Sequence, residues 1–361
     1  MIKNCRRRKM TEKTFFSDED RLDKLSKYGE TKTLNKINTL IPWEEFRPIL
    51  RRVRKDNPRG GRPPFDEILM FKCLILQSMY DLSDEETEFR ILNMITYSEF
   101  LGIKNPNDVP DSNTIWLFRE KLIKENLLDK IFEKFNSILF SQGLILKKGM
   151  IVDATFVTVP KQRNTREENA VIKKNQIPES FEKKTAQQRN HKDCDARWTV
   201  KNTINYFGYK LTIIIDEKTK AIIAYRLTSA NVHDSQSFLS IIPSDHSDNE
   251  PLYGDSAYMS KEIISTLKSM KIEPRICEKR YGNKPLTEEQ IRRNHRLSKK
   301  RCRVEHVFGY MRKHSGKFVR TIGAARATAK SVLSCLTYNM HRLVFYAAQN
   351  RQKSRRKSAF T

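Results

Sequence analysis

The sequence predicts an α/β fold with a mixed sheet, preceded by an all-helical region, and three observations carry that expectation. Apolar residues recur at helical spacing from about residue 65 to 143. Beyond Gly149 the period shortens to that of strands. Strand, hairpin, helix, strand and helix then follow in that order, which is an α/β pattern.

From Met1 to about Arg62 the chain reads as polar. It closes on Arg51, Arg52, Arg54, Lys55, Arg59 and Arg62, set among prolines and glycines. Such a segment suits either a solvated loop or an arm lying in the minor groove of A·T-rich DNA. Asp66 stands where an N-cap belongs, ahead of Ile68, Leu69, Phe71, Leu74, Ile75 and Met79 at three- and four-residue spacing. Ser83-Asp84-Glu85-Glu86 reads as a capping box that opens a second helix to about Phe100. Asp111 to Thr114 open a third, whose apolar positions Ile115, Phe118, Leu122, Leu127, Ile131, Phe135 and Ile138 run to a stop at Gln142-Gly143.

Met150-Ile151-Val152 is then a short buried strand. Tyr209 to Asp216 and Ala221 to Thr228 are β-rich and joined by the turn Glu217-Lys218-Thr219-Lys220. Leu252-Tyr253-Gly254 and Arg275-Ile276-Cys277 are further short strands, each next to a helix. Between the first strand and the hairpin, Lys161 to Lys192 holds nine Lys/Arg and few hydrophobics, which predicts a mobile basic insertion. The tail from Arg351 to Thr361 reads as basic and disordered.

The 361 residues carry a net charge of +26. A chain that basic repels itself unless a polyanion is near, so nucleic acid is the expected partner. The longest apolar stretch, Ile68 to Tyr80, includes Lys72 and Gln77 and falls short of the roughly 20 clean residues a bilayer requires. No membrane span and no signal-peptide core are expected, which places the protein in the cytosol. The six cysteines are scattered, with no Cys-x-x-Cys pair to suggest zinc.

Asp153 directly follows the first strand and Asp255 follows Leu252-Tyr253-Gly254, so two carboxylates fall at strand ends, where open α/β sheets place their ligands. Between Gln290 and Thr321 there are eleven Lys/Arg and one acid, Glu305. At 100° per residue Val304, Val307, Phe308 and Met311 share one arc, with Arg301, Glu305 and Arg312 along its edge. Either Glu305 merely pairs with Arg301 one turn away, or it joins the aspartates. Three carboxylates in a basic surface suit two hard divalent cations: Mg²⁺, with Mn²⁺ as its substitute.

Val152-Asp153-Ala154-Thr155, Asp195-Ala196-Arg197-Trp198-Thr199, Phe207-Gly208-Tyr209-Lys210, Ala230-Asn231-Val232-His233-Asp234-Ser235, Gly254-Asp255-Ser256-Ala257-Tyr258 and Arg303-Val304-Glu305-His306-Val307-Phe308-Gly309 together resemble a bacterial insertion-sequence DDE transposase of the insertion-sequence-five family. Gly61 to Phe65 and the helices after it are similar to that family's N-terminal domain. The resemblance implies a ribonuclease-H-like catalytic domain with Asp153, Asp255 and Glu305 as metal-holding catalytic acids. A related signature of tyrosine, arginine, glutamate and lysine fits Arg301 and Glu305. It departs at Ser298, where tyrosine is expected, and at Arg312, where lysine is.

On this reading residues 1–64 are a basic arm and loop and 65–146 a helical domain that binds DNA ends. Residues 147–345 are the catalytic domain with its insertion at 160–195, and 346–361 the tail. DNA contacts are expected from Arg301, Arg312, Lys299, Lys300, Arg303 and Lys313 on the basic helix, from Arg59 and Arg62, and from Lys210. Trp198 either stacks on a base or packs in the core. Asp234 and His306 are expected beside the acids, Asp234 alternatively as a helix cap. The implied activity is binding of terminal inverted repeats, metal-dependent cleavage and joining of 3′-hydroxyl ends to target DNA, by a homodimer or larger assembly on double-stranded DNA near the nucleoid. The competing readings are a catalytically silent DNA-binding descendant and a stand-alone nuclease of the same fold.

Overall fold

The computed structural model describes residues 18–54, 63–183, 185, 188, 191–201, 203–280, 282, 285–315 and 318–358. Arg59 and Arg62, with the rest of the loop at 55–62, lie outside the described residues.

The helical layer starts earlier than the sequence suggests. Helices α1 (Asp18–Leu25), α2 (Gly29–Leu40) and α3 (Arg47–Leu50) occupy the segment that reads as a polar arm. They and the short turn between α2 and α3 bury Leu34, Ile37, Trp43, Phe46 and Leu50. Each offers only a few apolar residues among many charges, too few for a convincing period but enough to dock on a core already present. The three expected helices follow as five: α4 (Glu67–Tyr80), then α5 (Asp84–Asn93) and α6 (Ile95–Leu101) broken at Met94, then α7 (Ser112–Lys124) and α8 (Leu127–Ser141) broken at Glu125 and Asn126, the latter in a left-handed conformation. Asp66 caps α4 by accepting from the Ile68 and Leu69 amides, and Asp111 caps α7 through Thr114. The box at Ser83 is half formed: Ser83 Oγ accepts from the Glu86 amide, while the Glu86 carboxylate turns instead to Arg90.

The sheet is mixed, as expected. β1 (Met150–Thr158) lies at its centre, antiparallel to β3 (Ile204–Asp216) and parallel to β5 (Glu250–Gly254), which in turn pairs in parallel with β6 (Ile272–Ile276). β4 (Ile222–Ser229) returns along Tyr209 to Ile215 of β3, and β2 (Arg197–Lys201) pairs with the first residues of β3. The predicted hairpin is present, closed by Asp216, whose Oδ1 accepts from the Lys218 and Thr219 amides. Ile151, Leu211, Ile213 and Ile215 pack on one face against the helical layer; Met150, Val152 and Ile214 pack on the other with Phe238, Leu252 and Tyr258. The helical layer and the first face therefore share one core.

Two segments are more ordered than their composition suggests. Within the basic insertion, α9 (Arg166–Lys173) starts on a full capping box between Thr165 and Glu168, and α10 (Glu179–Glu182) buries Phe181. Buried Asp193 ties the insertion's end down by accepting from the Tyr209 hydroxyl and the Gly323 amide. After α11 (Asp234–Ser237), α12 (Lys261–Ser269) and the basic helix α13 (Glu288–His314), α14 runs unbroken from Ala324 to Ser358, through the segment expected to be a disordered tail. It is anchored upstream, where Val332, Leu336, Met340 and Leu343 are buried and Asn339 exchanges both amide hydrogen bonds with the Ile222 backbone. That pair sits where the β3–β4 register slips between Ile214 and Ile215. Among the described residues no helix is long and apolar enough to cross a membrane.

Candidate active site

Parallel pairing puts the two aspartates level. Met150 faces Leu252 and Ile151 faces Tyr253, so Asp153 and Asp255 fall at matching positions past the paired residues. Asp153 still lies within β1, while Asp255 caps the single 3₁₀ turn Ser256–Tyr258. Each spends one oxygen locally: Asp153 Oδ1 accepts from the Ala154 amide at 2.8 Å, and Asp255 Oδ1 from the Ser256 amide at 2.5 Å. The two Oδ2 atoms converge on one group, Nη2 of Arg301, at 3.6 Å and 3.7 Å.

Alternation along β1 turns Asp153 toward the face that α13 covers. That helix docks as its periodicity predicts, with Val304, Val307, Phe308 and Met311 buried. Arg301 reaches the aspartates from its rim with its Nε buried and without a hydrogen-bond partner. Burial pushes the Asp153 carboxyl above its ordinary value, against the opposing pull of the Ala154 amide and Arg301.

Glu305 stands one turn beyond Arg301 on the same edge of α13, exposed to solvent. The simple ion pair between them is not formed, because Arg301 faces the aspartates instead. Nor are the three acids gathered: among the described residues no three His, Cys, Asp or Glu side chains meet closely enough to hold a metal ion. The physical reason is charge. A guanidinium balances two carboxylates better than a third carboxylate would.

Around the aspartates lie groups with unused capacity. Tyr258 is buried and its hydroxyl unpartnered; burial, with Asp234, Asp153 and Asp255 nearby, pushes that hydroxyl well above its ordinary range. Lys210 Nζ donates to the Val232 carbonyl at 2.7 Å and stands 2.7 Å from Asp234 Oδ1, an ion pair by distance although its directed hydrogen bond goes to the carbonyl. Orphaned polar atoms of this kind are rare in folded proteins. Two free carboxylate oxygens aimed at one point, beside such atoms, are a donor set that fits a hard divalent cation.

The expected cationic residues divide. Lys299, Arg312 and Lys313 are exposed. Lys300 donates to the Tyr253 hydroxyl, and Arg303 donates to the carbonyl and carboxylate of Glu217, itself buried, so both hold α13 to the sheet and its hairpin turn. Lys210 is engaged with Asp234. Trp198 is 45% exposed and tilted on Phe207, with Lys161 near its ring. Asp234 stands near Tyr258, as Asp153 and Asp255 do, and is not the cap of α11, which is His233; His306 lines a different cavity with Lys220, Tyr310 and His341. Sequence reasoning missed Arg301 as the bridge and Tyr258 as an inward-facing hydroxyl; their signals were the four-residue spacing to Glu305 and the three-residue spacing after Asp255.

A cavity of about 820 Å³ lies elsewhere, between α8, β4 and residues 240–246. Neither Asp153 nor Asp255 lines it. A family model described as a transposase DDE domain matches residues 146–340 of this chain. The chain belongs to the DDE transposase family. A second model, a transposase domain (DUF772), matches residues 20–121, so the helical layer of this transposase is itself of transposase type. A cryo-EM structure of the piggyBac transposase synaptic complex with hairpin DNA is similar at 10% sequence identity, over 89% of this chain and 76% of that one, with a TM-score of 0.47.

Proposed function

We propose that this transposase, as a member of the insertion-sequence-five group, binds the terminal inverted repeats of its element, cleaves a phosphodiester at each end and joins the freed 3′-hydroxyls to target DNA. Asp153, Asp255 and Glu305 would hold two divalent ions, Mg²⁺ or Mn²⁺. Such ions supply a metal-lowered pKa for the attacking water and charge stabilisation for both oxygens of an in-line displacement.

The observation that carries this reading is the convergence of Asp153 Oδ2 and Asp255 Oδ2 on Arg301 Nη2. The guanidinium lies against both carboxylates and offsets part of their charge, as a cation held there would. A phosphate arriving with its counter-charge draws Arg301 outward, since a guanidinium matches phosphate oxygens bidentately. Glu305, exposed and one turn away, then swings in as the third acid. Lys299, Arg312 and Lys313 hold the flanking backbone by charge alone. Bringing two ends together requires at least a dimer on DNA.

The test is nicking of a supercoiled plasmid that carries the element's ends. Asp153→Asn, Asp255→Asn and Glu305→Gln should each remove Mg²⁺-dependent nicking while leaving retention of the end DNA on a gel. Nicking that survives all three substitutions rejects the site.

A further inference from the structure

Three residues past Asp153, β1 presents Phe156 to the opposite face of the sheet. Its ring lies on that of Tyr206, with centroids 4.4 Å apart and planes inclined by 15°. Both rings are half-buried, and neither belongs to any of the three apolar clusters of the core. Lys210 Nζ stands 5.5 Å and Lys201 Nζ 5.8 Å from the Phe156 centroid. Lys210 is fixed by Asp234 and the Val232 carbonyl. Lys201 is exposed and near enough to Asp153 to act on its charge.

A stacked aromatic pair across β1 and β3 steadies the sheet locally, but it lies outside the three apolar clusters of the core. Its outer face, on Tyr206, meets no other ring or cation among the described residues. Aromatic faces with neighbouring cations are the elements from which proteins build single-strand binding surfaces, because every base offers a π-face and every nucleotide a phosphate. Three strand residues span about 10 Å, and β5 pairs with β1 only at Met150 and Ile151, so one DNA strand crossing that edge of β1 passes from the Asp153 face to the Phe156 face within a few nucleotide steps. A base inside a duplex offers no free face, so the occupant must be unpaired.

We propose that the Phe156–Tyr206 stack is a platform for an unpaired DNA base close to the phosphate held at Asp153 and Asp255, with Lys201 on the adjoining phosphate. This rests on the reading of the aspartates as the cleavage site and adds to it that the DNA end is opened before or during cutting.

The experiment uses the full chain without divalent metal and two probes: a ten-nucleotide oligothymidine with one central 2-aminopurine, and a fully paired duplex of random sequence. The wild type should quench the 2-aminopurine by stacking. Tyr206→Leu and Phe156→Leu should each restore its emission and weaken the single-strand probe roughly tenfold, with duplex affinity unchanged. Quenching that persists in both variants, or an equal loss on both probes, overturns the platform. If Phe156→Leu fails to give the wild-type melting profile, Tyr206→Leu decides alone, since its side chain supports no core cluster. Plasmid nicking in Mg²⁺ by the wild type separates the two readings. Nicking without quenching rejects the platform and leaves the cleavage site; quenching lost in the variants without wild-type nicking rejects the cleavage site and leaves the platform.

Discussion

Arg301 Nη2 stands 3.6 Å from Asp153 Oδ2, beyond hydrogen-bond length but close enough to balance its charge. If the guanidinium holds a cation's place, its removal has opposite effects with and without metal. Arg301→Gln should lower the melting temperature in the absence of divalent ions, because Asp153 and Asp255 then repel unopposed. It should also enlarge the rise in melting temperature that Mg²⁺ produces, since a competitor has gone. A Mg²⁺ response equal to or smaller than that of the wild type contradicts the placeholder role.

The raised pKa of Asp153 fixes the sign of a pH effect. An acid that the fold prefers to keep protonated costs stability once ionised, and that cost is absent below the unfolded-state value of about 3.9. Without metal, Asp153→Asn should therefore melt higher than the wild type at pH 7 to 8, with the gap closing as the pH falls toward about 4. Melting curves across that range check it; a variant that melts lower than the wild type at neutral pH contradicts it.

The cations of α13 should separate by experiment into binders and staples. Replacing Lys299, Arg312 and Lys313 together with alanine should leave stability within about 0.5 kcal/mol. The slope of log affinity against log salt should become shallower by about 0.9 for each phosphate that the variant no longer neutralises. Arg303→Ala should do the reverse, leaving Glu217 buried with fewer partners at a cost of about 1 to 2 kcal/mol, while the salt slope changes little. Salt titrations of DNA binding, paired with denaturant melts, distinguish the two.

Asn339 is fully buried and satisfies both backbone groups of Ile222 where the hairpin's register slips. Asn339→Leu would strand a buried amide and a buried carbonyl, each costing about 1 to 3 kcal/mol. A loss of at least about 2 kcal/mol by urea denaturation is expected, and a neutral result would mean that the bulge relaxes onto other partners.

What the sequence discloses follows from how local each signal is. The caps at Asp66 and Asp111, the hairpin turn and the apolar arc of α13 depend on residues within a few positions of one another, and each is found where the spacing puts it. Asp255 follows its strand as its spacing suggests and stands level with Asp153 because β1 and β5 pair in parallel, whereas Asp153 lies inside β1, which runs on to Thr158 through pairing with β3 that no local signal discloses. Helices α1 to α3 are hidden because they borrow their stability from a core formed by distant residues. The order in the insertion is hidden for the same reason, since Asp193 finds its partners in Tyr209 and Gly323. The position of Arg301 between the aspartates is likewise a balance of charges across three elements, which no spacing along one helix encodes.

The most direct measurement is the number of Mn²⁺ ions bound per chain in complex with end DNA, counted by electron paramagnetic resonance against the DNA alone. Two ions are expected for the wild type, and fewer for Asp153→Asn, Asp255→Asn and Glu305→Gln. Binding no greater than that of free DNA, or a count of two unaltered by all three substitutions, contradicts the assignment of these acids.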